Sequence, residues 1–303
     1  MAKILVLGEG LVGSAVRDRL EKNSSYEIET LAKSSVDLRN LSDFELLLEK
    51  IKPEVVIIAA GVVGGFEKNY SEPYLLGLEN SKIILNVIEA CIKQEILHVL
   101  NLVPASVYPA NIERRMIPED LWKGPVDTTS LPYVLAKLLG LTLIGAARSQ
   151  HKVNWISVIA TNLYGDDSTI ESHKAHVIPS LLEKFNSAKK VGRTEIVLLG
   201  DGSPIREFLH VDDFASAIEF ILDNKLFSEP ILNVAGESFC TIKGLAEIVK
   251  NVTKFQGQVL FANDGRNGAT VKLLDGSVLH SFGWMPKIAL SDGVTRVYAK
   301  FKG

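Results

Sequence analysis

A chain of 303 residues, 47% hydrophobic and 23% charged, has the apolar content of a folded globular protein and is long enough for one large domain or two unequal ones. Its 33 basic and 36 acidic side chains leave a net charge of -3, which argues against general nucleic-acid binding, where clustered Lys and Arg must be in excess. The longest apolar stretches, VVIIAAGVVGG and LLGLTLIGAA, fall short of the ~20 residues of a membrane-spanning helix, and two cysteines, Cys91 and Cys240, are too few for a disulfide framework. The expectation is a cytoplasmic protein with reduced thiols and no membrane or nucleic-acid partner.

AKILVLG opens the chain as a first strand rather than a signal peptide. KILVLG, EIETLA, VVIIAA, HVLNLV and NWISVIA read as buried strands, because both of their faces are apolar. Between them LVGSAVRDRLEK, SDFELLLEKI, ENSKIILNVIEACIKQ and YVLAKLLGLTLIGAARSQ carry helical spacing. That alternation predicts an α/β fold, a doubly wound parallel sheet of the Rossmann type. After about Leu163 the pattern loosens into polar, turn-rich segments, YGDDSTIESHKAH and LLGDGSPIREF, before HVDDFASAIEFIL returns to helix with Asp212 or Asp213 placed to cap it. The expected division is a dinucleotide-binding domain over 1–165 with about 208–236, and a smaller mixed α/β domain over about 166–207 and 237–303.

Gly8-Glu9-Gly10-Leu11-Val12-Gly13 follows the first strand and opens the first helix. Its first glycine permits a tight turn, the second lets backbone approach a pyrophosphate, and the third lets helix pack close to strand. The helix N-terminus adds unpaired N–H groups and partial positive charge. Gly8, Gly10, Leu11, Val12 and Gly13 are therefore the candidate cofactor cradle. The second strand ends Leu31-Ala32-Lys33-Ser34-Ser35, where a basic residue suits the 2′-phosphate of NADP and an acid would suit NAD. Lys33 favours NADP, with NAD the alternative and a solvated loop lysine the plain reading. Asp37, just beyond, either accepts from an adenine amino group or starts a turn.

Tyr133-Val134-Leu135-Ala136-Lys137 is a YxxxK motif in a helical pattern, so both side chains share a helix face. An ammonium beside a phenol is expected to lower the phenol pKa from about 10 towards neutrality. Such a tyrosine can hand a proton to an oxyanion that forms as hydride reaches a carbonyl carbon.

With the glycine loop and YxxxK in place, the sequence resembles the extended short-chain dehydrogenase/reductase superfamily. Within it, the chain is similar to the GDP-4-keto-6-deoxy-mannose epimerase-reductases, the GDP-L-fucose synthase family. The resemblance runs through GLVGSAV, AAGVVGGFEKN, SLPYVLAK, TNLYG, HVIPSLLEKF, GDGSPIREFLHVDD, LNVAGE, CTIKGLAEIV, KLLD and FGW. It implies an NADP-dependent enzyme acting on a small-molecule nucleotide sugar, with Tyr133 as the acid and Lys137 holding the nicotinamide ribose. His176 matches the residue that protonates carbanions during epimerisation. Arg206 matches a diphosphate contact, Lys184 and Lys272 take the places of further basic contacts, and Asn162 lies where the sugar pocket is lined. Without the resemblance, His176 reads as a surface or capping residue, Arg206 as a salt-bridge residue and Lys184 as a solvated lysine. Asp212 and Asp213 suggest capping and not a metal site.

Before Tyr108 the family reads close to GSSCIYP, whereas this chain reads Val103-Pro104-Ala105-Ser106-Val107-Tyr108-Pro109. Pro104 stands for the serine that steadies the substrate carbonyl, and Ser106 for the cysteine base that removes the C3 and C5 protons. On this strand, positions 104 and 106 face one side about 6.6 Å apart, and Ser106 could supply the missing hydroxyl from a shifted place. A serine is a much poorer base than a thiol, so epimerisation is the doubtful half. Neither cysteine lies near this strand in sequence. The glycine loop is also one residue shorter than the family's and lacks its basic residue, and Val62 replaces a lysine. Alternatives are another nucleotide-sugar 4-keto reductase, an NAD-dependent epimerase of the same fold, or a silent dinucleotide-binding protein. YVLAKLLGLTLIGAA is apolar nearly all round, which predicts a homodimer through paired helices.

Overall fold

The computed structural model describes residues 1–31, 36–165, 177–263 and 269–301. The chain opens with β1 (Ala2–Leu7), α1 (Leu11–Leu20), β2 (Tyr26–Leu31), α2 (Leu41–Ile51), β3 (Val55–Ile58), α3 (Phe66–Ser71), α4 (Pro73–Lys93) and β4 (His98–Pro104). Next come β5 (Arg115–Met116), α5 (Leu131–His151), β6 (Asn154–Ala160) and β7 (Asn162–Tyr164). They are followed by α6 (Val177–Lys190), β8 (Glu195–Leu198), β9 (Ile205–His210), α7 (Val211–Asp223) and β10 (Ile231–Val234). The last stretch holds β11 (Ser238–Thr241), α8 (Ile242–Thr253), β12 (Gln258–Phe261), β13 (Val271–Leu274), α9 (Ser277–Ser281) and α10 (Leu290–Phe301).

The expected doubly wound sheet is present: six parallel strands in the order β10-β6-β4-β3-β1-β2. Val16 and Leu20 of α1 and Phe214 and Ile218 of α7 cover one face, while Phe44, Leu48, Val87 and Ile144 cover the other. Burial of each such side chain contributes about 1.5–3 kcal/mol. β2 departs from the both-faces-buried reading. As the edge strand it alternates, with Glu27 and Glu29 turned to solvent. Strand order reverses between β1 and β3, and a crevice at the carboxyl ends of strands is where such sheets bind ligands.

A second sheet runs β11-β9-β13-β5, with β7 also on β9, and β12 pairs with β8 in a small parallel ribbon. The expected division falls inside this second sheet, because β7 ends at Tyr164 and β9 continues to His210. The chain re-enters the larger sheet with α7 and β10. Neither Asp212 nor Asp213 caps α7. The cap is His210, whose ring Nδ1 accepts from the Asp212 N–H at 3.2 Å. Asp213 instead is buried and accepts from the N–H groups of Lys287 and Ile288 at 3.1 and 2.8 Å, fastening the approach to α10.

The helical run Thr128–His151 is longer than its apolar stretch suggested and, by length and composition alone, could cross a membrane. It contains Lys137 and Arg148 and packs one side against α4, β4 and β6.

Candidate active site

The three loop glycines have three different physical reasons. Gly8 has φ +103°, and a side chain there would meet the Ala60 backbone at 3.0 Å, so the turn both needs left-handed backbone and has no room. At Gly13 an added Cβ would lie 1.9 Å from the Gly8 carbonyl oxygen. The third glycine therefore lets α1 sit on the turn itself, with Ala59 at the end of β3 just beyond, at 3.4 Å. Gly10 faces open space and caps α1 without a side-chain hydrogen bond, so the N–H groups at Leu11 and Val12 have no capping side chain. An anionic pyrophosphate fits this cradle.

α5 brings Tyr133 and Lys137 to the same place. A side chain at Gly61 would stand 3.2 Å from Lys137 Nζ and 2.9 Å from Asn80 Oδ1. Cradle and YxxxK thus flank one short stretch, Ala59–Gly61, just past β3. Asn80, on α4, clasps the next residue in both directions: its amide donates to the Val62 carbonyl at 2.8 Å, and its Oδ1 accepts from the Val62 N–H at 3.1 Å.

The electrostatics differ from the expectation. Burial pushes the Tyr133 phenol up to about 12 and brings the Lys137 ammonium down to about 8. Lys137 Nζ lies 5.8 Å from the Tyr133 ring centroid, over the ring and not at its hydroxyl, so it does not pull the phenol towards neutrality. At neutral pH the phenol is fully protonated. That is the form an acid needs when the base to be quenched is an alkoxide.

The departure before Tyr108 also takes a different shape. β4 ends at Pro104, and Ala105–Val107 form a 3-10 turn closed by the Tyr108 N–H on the Ala105 carbonyl at 3.2 Å. Positions 104 and 106 therefore do not share a strand face. The turn packs on α5, and the Ser106 hydroxyl makes no hydrogen bond among the described residues. Tyr108 is structural: its hydroxyl donates to Asn233 Oδ1 on β10 at 2.7 Å.

Arg206 and Lys272 are cross-strand partners on β9 and β13. Burial lowers both cations, and their mutual repulsion lowers Lys272 further, so each half-buried charge gains by an anion. Asp127, at the cap of the turn before α5, faces the pair. Burial pushes its carboxyl up, but the Thr129 N–H and hydroxyl with Lys272 and Arg206 bring it below its ordinary value. Asp127 thus stands within electrostatic reach of the basic pair, just ahead of the helix that carries Tyr133. Cys240 is also a register partner of Arg206, so one thiol does stand beside this site, although far from Ser106 in sequence. Burial raises its pKa.

Other predicted residues are held differently. Asn162 donates to the Glu207 carbonyl at 2.8 Å. Lys184 is exposed on α6 and donates to the Val197 carbonyl of β8 at 2.5 Å, on the ribbon side of the fold. Asp37 accepts from the Arg39 N–H at 3.0 Å and pairs with its guanidinium, which makes it a turn residue. Lys33 and His176 lie outside the described residues. Sequence reasoning missed Asn80, Asp127, Arg115 and the fully buried Glu207. Only the acid next to Arg206 in REFLHVDD gave a signal.

A glycine cradle at a helix N-terminus, with a partly buried tyrosine–lysine pair on α5 facing the stretch just past β3, defines a dinucleotide-binding enzyme of the short-chain dehydrogenase/reductase kind. Comparison with known proteins gives the family. The chain belongs to the NAD dependent epimerase/dehydratase family, whose model matches residues 4–235. It is 38% identical over 299 residues to the putative GDP-L-fucose synthase 2 of Arabidopsis thaliana, covering 98% of this chain and 90% of that one. With the GDP-L-fucose synthase of Escherichia coli it shares 32% over 311 residues, 99% and 96% of the two chains. Among solved structures, MlghC, a GDP-mannoheptose C4 reductase from Campylobacter jejuni with NADP bound, superposes with a TM-score of 0.88 at 26% identity, covering 100% and 98%.

Proposed function

We propose that this protein is an NADP-dependent epimerase/reductase of a GDP-linked 4-keto-6-deoxy sugar in which reduction is the strong half. The observation that carries the reading is the convergence of cradle and YxxxK on Ala59–Gly61, with the cations Arg206 and Lys272 set side by side in the second sheet. The names of the relatives supply the sugar class and the cofactor.

NADPH, when bound, supplies the hydride that C4 of the sugar receives. Gly8, Gly10, Leu11, Val12 and Gly13 would hold its pyrophosphate, Lys137 its nicotinamide ribose, and Lys33 its 2′-phosphate. Tyr133 donates its phenolic proton to the C4 oxygen as negative charge gathers there. Arg206 and Lys272 bind the diphosphate, Lys184 adds a further basic contact, and Asn162 lines the sugar pocket. For epimerisation, Ser106 would remove the C3 and C5 protons and His176 return them. Pro104 offers no donor to the carbonyl, and an unassisted serine is a weak base, so proton exchange lags behind reduction.

The test uses GDP-4-keto-6-deoxy-mannose and NADPH in deuterated water. Stoichiometric NADPH oxidation with little deuterium at C3 and C5 is expected. No oxidation would overturn the reading, and complete exchange before reduction would show that Ser106 suffices as a base.

The proposed working unit is a cytoplasmic homodimer. Leu135 on α5 is 52% exposed, and Leu75 and Leu85 on α4 are 40% and 43% exposed, on two helices that pack together. A two-fold pairing of these helices would cover them. Sedimentation at micromolar concentration should give a dimer, and a monomer would refute the pairing.

A further inference from the structure

The main-chain pairing that sets Arg206 beside Lys272 is short. β9 and β13 are in register only at Val271–Ile205 and Lys272–Arg206. β13 and β5 pair only at Leu273–Arg115 and Leu274–Met116. Where the β9–β13 ladder stops, a side chain takes over. Glu207, one residue after Arg206 and fully buried, accepts the Leu274 N–H at 3.2 Å through one carboxylate oxygen. Its other oxygen takes Arg115 Nη1 at 3.0 Å, and that same nitrogen donates to the Leu274 carbonyl at 2.8 Å. The Arg115 guanidinium in turn lies over the Phe239 ring, 5.6 Å from its centroid, on β11 at the far side of β9.

We propose that Glu207 is a positioning residue, clamped by Arg115, that fixes the spacing of Arg206 and Lys272 and so sets affinity for the diphosphate of the nucleotide sugar. This rests on the reading of that pair as the diphosphate anchor. A carboxylate with no exposed surface is costly unless paired, and apolar side chains in place of such a pair are often as stable or more so. What the clamp adds is register. It holds β13 against β9 one step beyond the two cations, while Thr161 and Asn162 hold the Glu207 carbonyl from the other side at 3.2 and 2.8 Å. Burial already brings the Glu207 carboxyl up to about 7, so with Arg115 removed it protonates and leaves no unpaired buried charge.

The test measures GDP binding by calorimetry, NADPH binding by fluorescence, and kcat at saturating sugar in Glu207→Gln, Arg115→Met and the double variant. Each single variant is expected to weaken GDP about tenfold, with NADPH affinity and kcat within about twofold, and the double variant, in which the same clamp is missing, to lose little more than either single change. If Glu207→Gln is too unstable to purify, Arg115→Met carries the same expectation. Unchanged GDP affinity in a folded single variant, or equal losses for GDP and NADPH, overturns the proposal. Arg206→Ala separates the two readings. If it leaves GDP affinity unchanged, the diphosphate anchor itself is wrong. If it weakens GDP while the clamp variants do not, only the positioning role fails.

Discussion

Tyr133→Phe should lower kcat for sugar reduction by ~10²–10⁴, the usual contribution of a positioned proton donor, with both Michaelis constants close to those of the parent. Tyr133 packs against the apolar cluster that holds Val103, Val107 and Leu138, and a phenyl ring keeps that packing, so only the proton is lost. The pH profile gives a second handle. Because burial holds the phenol near 12, Tyr133 stays protonated throughout the working range. Lys137 is the group that titrates, with its ammonium brought down to about 8. It is charged below that value and loses its proton as pH rises through it, so kcat/KM should fall on the alkaline side. Lys137→Arg should move that limb upward, since a guanidinium stays charged. A Tyr133→Phe enzyme within tenfold of the parent would remove tyrosine from the acid's role.

The second large effect is expected at Gly13. An alanine there places Cβ 1.9 Å from one backbone atom and 2.8 Å from another, both in the Gly8 turn, and neither can swing aside as a flexible side chain would. Either α1 slides outward or the turn opens, and each moves the N–H groups that would meet the pyrophosphate. Overpacking of this kind costs about 1–3 kcal/mol, which corresponds to ~10–100-fold in NADPH affinity if the strain is relieved through the cradle. Gly10→Ala is the control. Its Cβ meets nothing within 4 Å, so melting temperature should hold while NADPH weakens, because the new methyl stands in the open cradle. Parent-like NADPH affinity in Gly13→Ala would remove the loop from cofactor binding.

The larger sheet was legible because its strands are short β-branched runs buried on both faces, a pattern tied to no distant partner. β2 departs from that pattern for a tertiary reason: it is the last strand of the sheet, so one of its faces stays open and Glu27 and Glu29 are tolerated. Ser106 was placed on a strand because alternation in VPASVYP suits one, whereas the chain turns after Pro104. The phenol was expected to be acidic from spacing alone, but four residues along a helix fix a shared face and not the reach of Lys137 Nζ to a hydroxyl. Glu207 and Arg115 could not be paired from sequence, since 92 positions separate them. The same holds for Asp127, whose partners Arg206 and Lys272 arrive from the second sheet.

The place of β10 has a consequence for how the chain must be made. The larger sheet is not finished when β6 has formed, because its last strand, pairing Ile231 with Ser157, is synthesised only after β7, α6, β8, β9 and α7. Until then β6 offers a bare parallel edge that is buried along almost its whole length in the mature protein. Such edges recruit other chains, and closing them across so long a separation is slow. A fragment cut soon after β6 should therefore aggregate rather than behave as a small cofactor-binding unit. Nascent protein is exposed to that hazard until the second sheet has begun to assemble and release β10 to its place.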